Sequence, residues 1–353
     1  MTLLVWMLWR AGALEIWQIY LTTAIGSLCL SFQWTAYTVA VSILVPPHQL
    51  ARMNGLSQLV SATSTLIAPA LAGVLLPLIQ LQGIILVDLI TFASAFTIMT
   101  LLVRIPGRAR SSAQLPAGAL LHEARAGWQY IRARPGLTAL LPVLAFMNFV
   151  GAAVEVLITP LVLSFADPAM LGLILSVGGS GMLVGSVLMS VWGGPRRLIY
   201  GVFGFVLVQG LVLLLGGLRP NALLVMAAIF VYLFSDPIVA SCNLAIWQRK
   251  VAPELQGRVM ALRRLLSFVL MPLAYLIVGP LTSRIFEPLL AVDGPLAETA
   301  LGRVMGVGAG RGIGLLLMLL GVSTMLLVVV ALSRRSLREL EQDLPDHAPP
   351  GPA

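Results

Sequence analysis

The sequence predicts an all-α polytopic membrane protein made of two parallel-repeat helix bundles. Three observations carry that expectation. Hydrophobic residues make up 59% of the 353 and charged residues only 10%, where a soluble domain carries about 25% charged residues. A chain this apolar cannot cover its surface with polar groups, and no stretch is polar enough to be a soluble domain. Second, apolar runs of the ~20 residues that cross a bilayer recur along the chain. Third, one loop is written twice. The stretch "VPPHQLARMNGL" at 45–56 returns as "VAPELQGRVMAL" at 251–262. Val45, Pro47, Arg52 and Leu56 fall on Val251, Pro253, Arg258 and Leu262 at a single offset of 206, and Gly73 falls on Gly279.

The elements follow in order. Residues 1–9 are apolar but half a span long, without the basic start and small-residue cleavage site of a signal peptide. They read as the end of a helix. Full spans are expected at 19–45, 54–78 and 84–103. A polar connection, 104–137, begins as a Gly/Pro-containing linker. It continues as "ALLHEARAGWQYIRAR", where Leu121, Ala124, Trp128 and Ile131 share a face and Arg125 and Arg132 lie off it. That is the pattern of a basic amphipathic helix on the inner leaflet; a solvated linker helix is the alternative. Further spans are expected at 138–165, 171–192, 198–217, 223–247, 259–285 and 312–332. The Pro-rich end is expected to be disordered.

Loop charge orients these spans, because Lys and Arg stay on the cytoplasmic side. Alternate connections divide the cations seventeen to five. The rich set holds Arg52, Arg104, Arg108, Arg110, Arg125, Arg132, Arg134, Arg196, Arg197, Arg249, Lys250, Arg258, Arg263, Arg264, Arg334, Arg335 and Arg338. The poor set holds Arg10, Arg219, Arg284, Arg303 and Arg311. The protein is thus expected in the cell's inner or plasma membrane, multi-pass, with a cytoplasmic C-terminus.

Two copies of the loop on one side, each followed by a span, require an even number of helices per repeat. A six-plus-six plan related by an axis along the membrane normal meets this. It divides the chain into an incomplete N-terminal bundle at 1–103, a cytoplasmic linker with its amphipathic helix at 104–137, a six-helix bundle at 138–333, and a disordered cytoplasmic tail at 334–353. The offset sets the span at 198 against a partner just upstream of Met1. Residues 1–9 then end a third helix, and about 70 residues carrying two and a half helices are expected to precede them.

Several stretches carry a family resemblance. They are "EIWQIYLTTAIGSLCLSFQWTAYTVAVSILVP", "LARMNGLSQLVSATSTLIAPALAGVLL", "VDLITF", "WQYIRARPGLTALL", "GGSGMLVGSVLMSVWGGPRR" and "QRKVAPELQGRVMALRRLLSFVLMPLAYLIVGPL". Together they resemble helices three to eleven of major facilitator superfamily exporters, in the branch of macrolide-efflux and enterobactin-exporter-like proteins. The resemblance implies alternating-access efflux. The family's basic, glycine-bearing loop between helices two and three would lie before Met1; its half-repeat equivalent, "GGPRR" at 193–197, is present.

The chemistry points the same way. His48, His122 and His347 are far apart and make no metal set. No phosphate loop with its lysine occurs. The "GGSGMLVG" run at 178–185 sits inside an apolar span and reads as helix packing. Cys29 and Cys242 both sit in apolar runs and read as small hydrophobes. No basic-and-aromatic stripe suggests nucleic acid. No catalytic residue, metal or cofactor is expected, and no nucleic-acid partner.

Ionisable groups inside spans are costly, by ~2.5–3.5 kcal/mol at the centre, and so suggest function. Glu155 and Asp236 lie mid-span, and Asp88 lies near a span's end. A carboxylate held in low dielectric keeps its proton more tightly than one in water, which suits proton coupling. Asp236 beside Pro237 could instead satisfy a kink, and Asp88 could cap a helix. Gln33, Tyr37, Asn148, Gln209 and Asn243 are candidates for the polar lining of a cavity, with interhelical hydrogen bonding as the rival role. Arg52 and Arg258 head the repeated helices and, with Arg196 and Arg197, read as gate or latch residues. A plain positive-inside role is the alternative. Gly55, Gly73, Gly185 and Gly279 read as close helix contacts. The expected function is proton-coupled efflux of an amphipathic small molecule such as a drug, macrolide or siderophore, by a monomer whose partners are substrate, protons and lipid. The rivals are a non-transporting truncated membrane fragment or scaffold and a lipid or lysophospholipid flippase of the same fold.

Overall fold

The computed structural model describes residues 15–102 and 119–344, together with Met7. The expected helix end at 1–9 (Met7 apart), the Gly/Pro linker and the stretch 345–353 lie outside the described residues. The described chain is helical, with no strand among the described residues. Its helices are α1 (Ile16–Leu44), α2 (Leu50–Leu102), α3 (Ala119–Arg132), α4 (Pro135–Leu163), α5 (Pro168–Trp192), α6 (Leu198–Leu218), α7 (Ala222–Lys250), α8 (Gln256–Leu289), α9 (Ala300–Met305), α10 (Arg311–Ser333), α11 (Arg335–Arg338) and α12 (Leu340–Asp343). Six of them, α4 to α8 and α10, are long and apolar enough to cross a membrane. Gln80, at φ 56°, breaks α2 into two pieces, the second an apolar helix at Gln82–Ile98.

Local sequence starts and stops several helices. Asp167 accepts a hydrogen bond from the Met170 N–H at the head of α5, and Pro168 takes the first helical position, where its missing N–H costs nothing. The helix ends on Gly193 in the left-handed region, φ 78°. Asn221 accepts from the N–H groups of Leu223 and Leu224 to begin α7.

The written repeat is also a structural repeat. Helices α1 and α7 are both 29 residues long, and they begin and end at the same offset of 206 as the loops. Val45 N–H closes on the Val41 carbonyl as Val251 N–H closes on Trp247. Gln49 N–H returns to Pro46 as Leu255 N–H returns to Ala252, and α2 and α8 then start at Leu50 and Gln256. The break at Gln80 falls opposite Phe286, the last residue of a π-helical turn in α8.

Small residues set the closest packing. A Cβ on Gly181 or Gly185 of α5 would collide with the carbonyls of Phe230 and Phe234 on α7. One on Gly55 of α2 would come within 2.8 Å of the Met189 and Ser190 backbone. Without a hydrophobic force between helices in lipid, such contacts favour association. Gly279 departs from this expectation: open space surrounds it, because α8 turns that face away from its neighbours. Cys242 is buried, as a small hydrophobe should be, whereas Cys29 is exposed on α1.

Two apolar cores lie at opposite ends of the bundle. At the end carrying the repeated loops, Val41, Leu50 and Ala51 of α1 and α2 pack with Trp247, Val251, Val259 and Met260. The core at the other end draws only on helices from α4 onward, among them Leu157, Ile174, Leu213, Ile229, Val278 and Leu317. Among the described residues, then, α1 and α2 join the apolar cores at one end alone.

One expectation is corrected at that end. The chain from 334 to 344 is not a disordered tail. It forms α11 and α12, and Leu337 and Leu340 are each 1% exposed. The Glu341 carboxylate accepts the Leu198 and Ile199 N–H groups at 3.1 Å each, and Lys250 Nζ donates to the Glu341 and Leu344 carbonyls. A handful of leucines among charges hid this dock. Helix α3 lies across the α7–α8 turn. Ile131 is buried and the Tyr130 hydroxyl donates to the Lys250 carbonyl while accepting from Ala252 N–H, but Trp128, placed on the same face by the sequence, is exposed.

Candidate functional site

Between the two cores lies a cavity of about 620 Å³. Trp34 and Thr38 of α1 and Gln58 of α2 form one wall; α4, α6, α7 and α8 form most of the rest. The lining is mainly aliphatic, with a few polar groups set into it. That is the usual make-up of a small-molecule site.

The structure brings five of the sequence candidates together here: Glu155, Asp236, Asn148, Gln209 and Asn243. Asp236 sits at the middle of α7 and is exposed to the cavity. It makes no hydrogen bond or ion pair among the described residues. It therefore does not satisfy backbone groups freed at Pro237. Glu155 on α4 accepts a 2.7 Å hydrogen bond from the Tyr275 hydroxyl of α8. Asn148 returns its amide to the Leu144 carbonyl at 2.9 Å. Gln209 and Asn243 are 1% and 5% exposed, and their Oδ1 or Oε1 atoms lack partners.

Three candidates fall elsewhere. Gln33 and Tyr37 miss the cavity because Trp34 and Thr38, four residues apart, take the inward face of α1. Each miss is one residue, about 100° around the helix. The Tyr37 hydroxyl meets Ser57 Oγ at 2.6 Å instead. Asp88 is exposed on the second piece of α2, away from the lining.

At the end of the repeated loops, hydrogen bonds join the two repeats below the cavity. Asn54 Nδ2 donates to Gln248 Oε1 at 2.8 Å, and Gln248 Nε2 donates to the Thr38 carbonyl at 3.1 Å. Arg249 Nε donates to the Pro47 carbonyl at 2.7 Å. Ser42 donates to Gln256, whose amide holds the Gln248 and Val251 carbonyls. Arg52 lies over Gly193, its Cγ 2.6 Å from where a Cβ would sit. It thus meets the "GGPRR" turn, where Arg196 and Arg197 are exposed and Arg197 lies 5.9 Å from the Tyr200 ring. The backbone of Arg258 lies beside Gly127 of α3.

Sequence reasoning missed Arg263 and Arg264. It counted them with loop cations, yet they stand two turns inside α8 and line the cavity with Ser267. The loop-charge bias survives without them. Their guanidiniums lie 5.5 Å from the Trp247 ring and 5.7 Å from the Trp34 ring, within cation–π range. An arginine pair at helical positions beyond the first turn was the signal available.

A helical membrane bundle with a repeated half and a polar-studded central cavity is the build of a membrane transporter. The chain belongs to the major facilitator superfamily, whose profile matches residues 1–275. It is similar to macrolide efflux protein A of Enterococcus faecalis, 27% identical over 265 residues, 74% of this chain and 81% of that protein. It is also similar to macrolide efflux protein A of Streptococcus pyogenes, 26% identical over 276 residues, 77% of this chain and 68% of that protein.

Proposed function

We propose that the chain is a secondary active exporter that moves an amphipathic small molecule outward against an inward flow of protons. The observation that supports this most directly is the cavity of about 620 Å³ shared by both repeats, with Glu155 and Asp236 on its wall. That volume suits a drug-sized molecule, whose sites span ~300–1,000 Å³. The names of the similar proteins support the outward direction.

On this reading 1–103 and 138–333 are the two moving halves, joined by 104–137, and the C-terminus is cytoplasmic. Loop charge puts the repeated loops inside, so with the repeats joined at that end the cavity faces outward. Protons load the two carboxylates from outside. The halves rock, the bonds at Asn54, Gln248 and Gln256 part, and the cavity opens inward, with Arg52 as a latch on the "GGPRR" turn. A cationic substrate group and a proton compete for the same carboxylates, so arrival of one releases the other. That competition is the coupling.

The test uses inside-out vesicles holding the full chain and the cationic dye rhodamine 6G. An imposed pH gradient, acid inside, should drive dye accumulation, and dissipating the gradient should collapse it. Glu155→Gln and Asp236→Asn should each cut uphill accumulation about tenfold or more, and each should weaken dye binding without abolishing it, because the other carboxylate remains. Undiminished accumulation by the double variant would sink the assignment of the carboxylates. No accumulation by the unaltered chain would favour a non-transporting scaffold.

A further inference from the structure

The cavity holds two charges of each sign. Asp236 and Glu155 supply the acids, Arg263 and Arg264 the bases. No ion pair joins the two sets among the described residues. Arg263 Nε and Arg264 Nη1 are buried without a hydrogen-bond partner, as is Ser267 Oγ one turn further along α8. Ser267 is 4% exposed. Trp247 and Trp34 lie near the two guanidiniums, and an aromatic contact occupies a face of the fork, not its N–H edge. Buried N–H donors without acceptors are costly, and a plain positive-inside role does not need them here.

We propose that Arg263, Arg264 and Ser267 form an anion-binding subsite, and that the substrate is an amphoteric amphiphile. The inference rests on the export reading and refines it. The anionic end, a carboxylate or sulfonate, binds the arginine fork and the Ser267 hydroxyl. The apolar body lies along α4 and α7, and the cationic end reaches the acids. Protons compete with the substrate for the acids alone, so the arginines anchor it throughout, while protons displace only its cationic end. An anionic molecule without the cation would be drawn in by the same protons that should expel it. Coupled export therefore excludes a plain anion, and among cationic molecules the arginine fork favours the amphoteric ones.

Rhodamine B and its ethyl ester test this. The two share a cationic fluorophore, and the ester lacks the free carboxylate. Binding is followed by fluorescence anisotropy with the full chain in a neutral detergent. The chain should bind rhodamine B about tenfold tighter than the ester, the gain expected of one charge-assisted contact. Arg263→Gln with Arg264→Gln should abolish that preference and leave ester binding within about twofold. Arg263→Lys with Arg264→Lys, which keeps the charge, should restore part of it. Equal binding of the two dyes by the unaltered chain overturns the proposal without any variant. So does a glutamine pair that keeps the preference, or one that weakens both dyes equally. If the glutamine pair weakens both dyes and Asp236→Asn rescues them, the arginines only balance the acids, and the subsite is again refuted. Dye preference without gradient-driven transport would refute export and leave the subsite standing. Export of rhodamine 6G with no dye preference would do the reverse.

Discussion

Asp236 and Glu155 share a cavity but not their company. Asp236 makes no hydrogen bond or ion pair among the described residues, whereas Glu155 is held by the Tyr275 hydroxyl. If Glu155 exchanges protons, Tyr275 positions its carboxylate. Tyr275→Phe should then slow gradient-driven accumulation by several-fold, given about 1–2 kcal/mol for a hydrogen bond to a charged group, with dye binding unchanged. Accumulation at the unaltered rate would reduce that bond to helix packing. Glycines give a paired prediction on stability. Gly185→Ala meets the Phe234 carbonyl and should cost about 1–3 kcal/mol of strain. Gly279→Ala meets open space and should be neutral or slightly stabilising, since alanine is the better helix former. Thermal unfolding of the two variants in detergent compares them directly; a similar fall for both would contradict the packing.

Two helices start without a cap of their own and borrow a distant glutamate. Neither Arg197 before α6 nor Gly310 before α10 supplies a capping side chain. Glu341 of α12 accepts the first N–H groups of α6, and Glu287 at the end of α8 accepts Gly310 and Ile313 N–H at 3.2 Å each. A carboxylate at a helix N-terminus satisfies unpaired donors and meets the positive end of the dipole. Glu341→Ala should cost about 1 kcal/mol and loosen the C-terminal dock, read as faster proteolysis after Arg338. Unchanged proteolysis would mean that Leu337 and Leu340 hold the dock alone. The bonds joining the repeats act between elements too. Asn54→Ala breaks the bond to Gln248 and leaves a buried acceptor, worth about 1–3 kcal/mol. It should move the population toward the inward-open state about tenfold or more. A cysteine at Ser267 would then be labelled faster from the repeated-loop side in vesicles. Slower labelling from that side would show that the bond does not hold the closed end.

At the scale of the molecule, the common offset of helix starts, helix ends and turns makes the repeat a geometric claim. One rotation near 180° about the membrane normal should carry α1 and the first piece of α2 onto α7 and α8. An experimental structure in which the two pairs need different rotations would refute it. The repeat also accounts for the shape of the cavity. Each half contributes a helix pair to the joined end, and the apolar core at the far end is built by one half alone among the described residues.

The sequence by itself determined what depends on local pattern. Hydropathy placed the spans of α4 to α8 and α10 within a few residues of their ends, because in lipid a backbone satisfies its hydrogen bonds only by staying helical. The doubled loop exposed the repeat, because equal turns need equal residues at equal spacing. Glu155 and Asp236 stood out because a charge in a span is costly enough to need a reason. Helix rotation and long-range pairing were decided only by the tertiary structure. Gln33 and Trp34 are adjacent in sequence, yet only packing chose Trp34 to face the cavity, since α1 has an apolar side chain on nearly every face. Arg263 and Arg264 were counted with the loop charges although the expected span at 259–285 already held them, and only the packing of α8 showed that they line the cavity. The Glu341 cap and the Asn54–Gln248 bond join residues more than a hundred positions apart, and no local pattern specifies which distant donor a carboxylate or amide will meet.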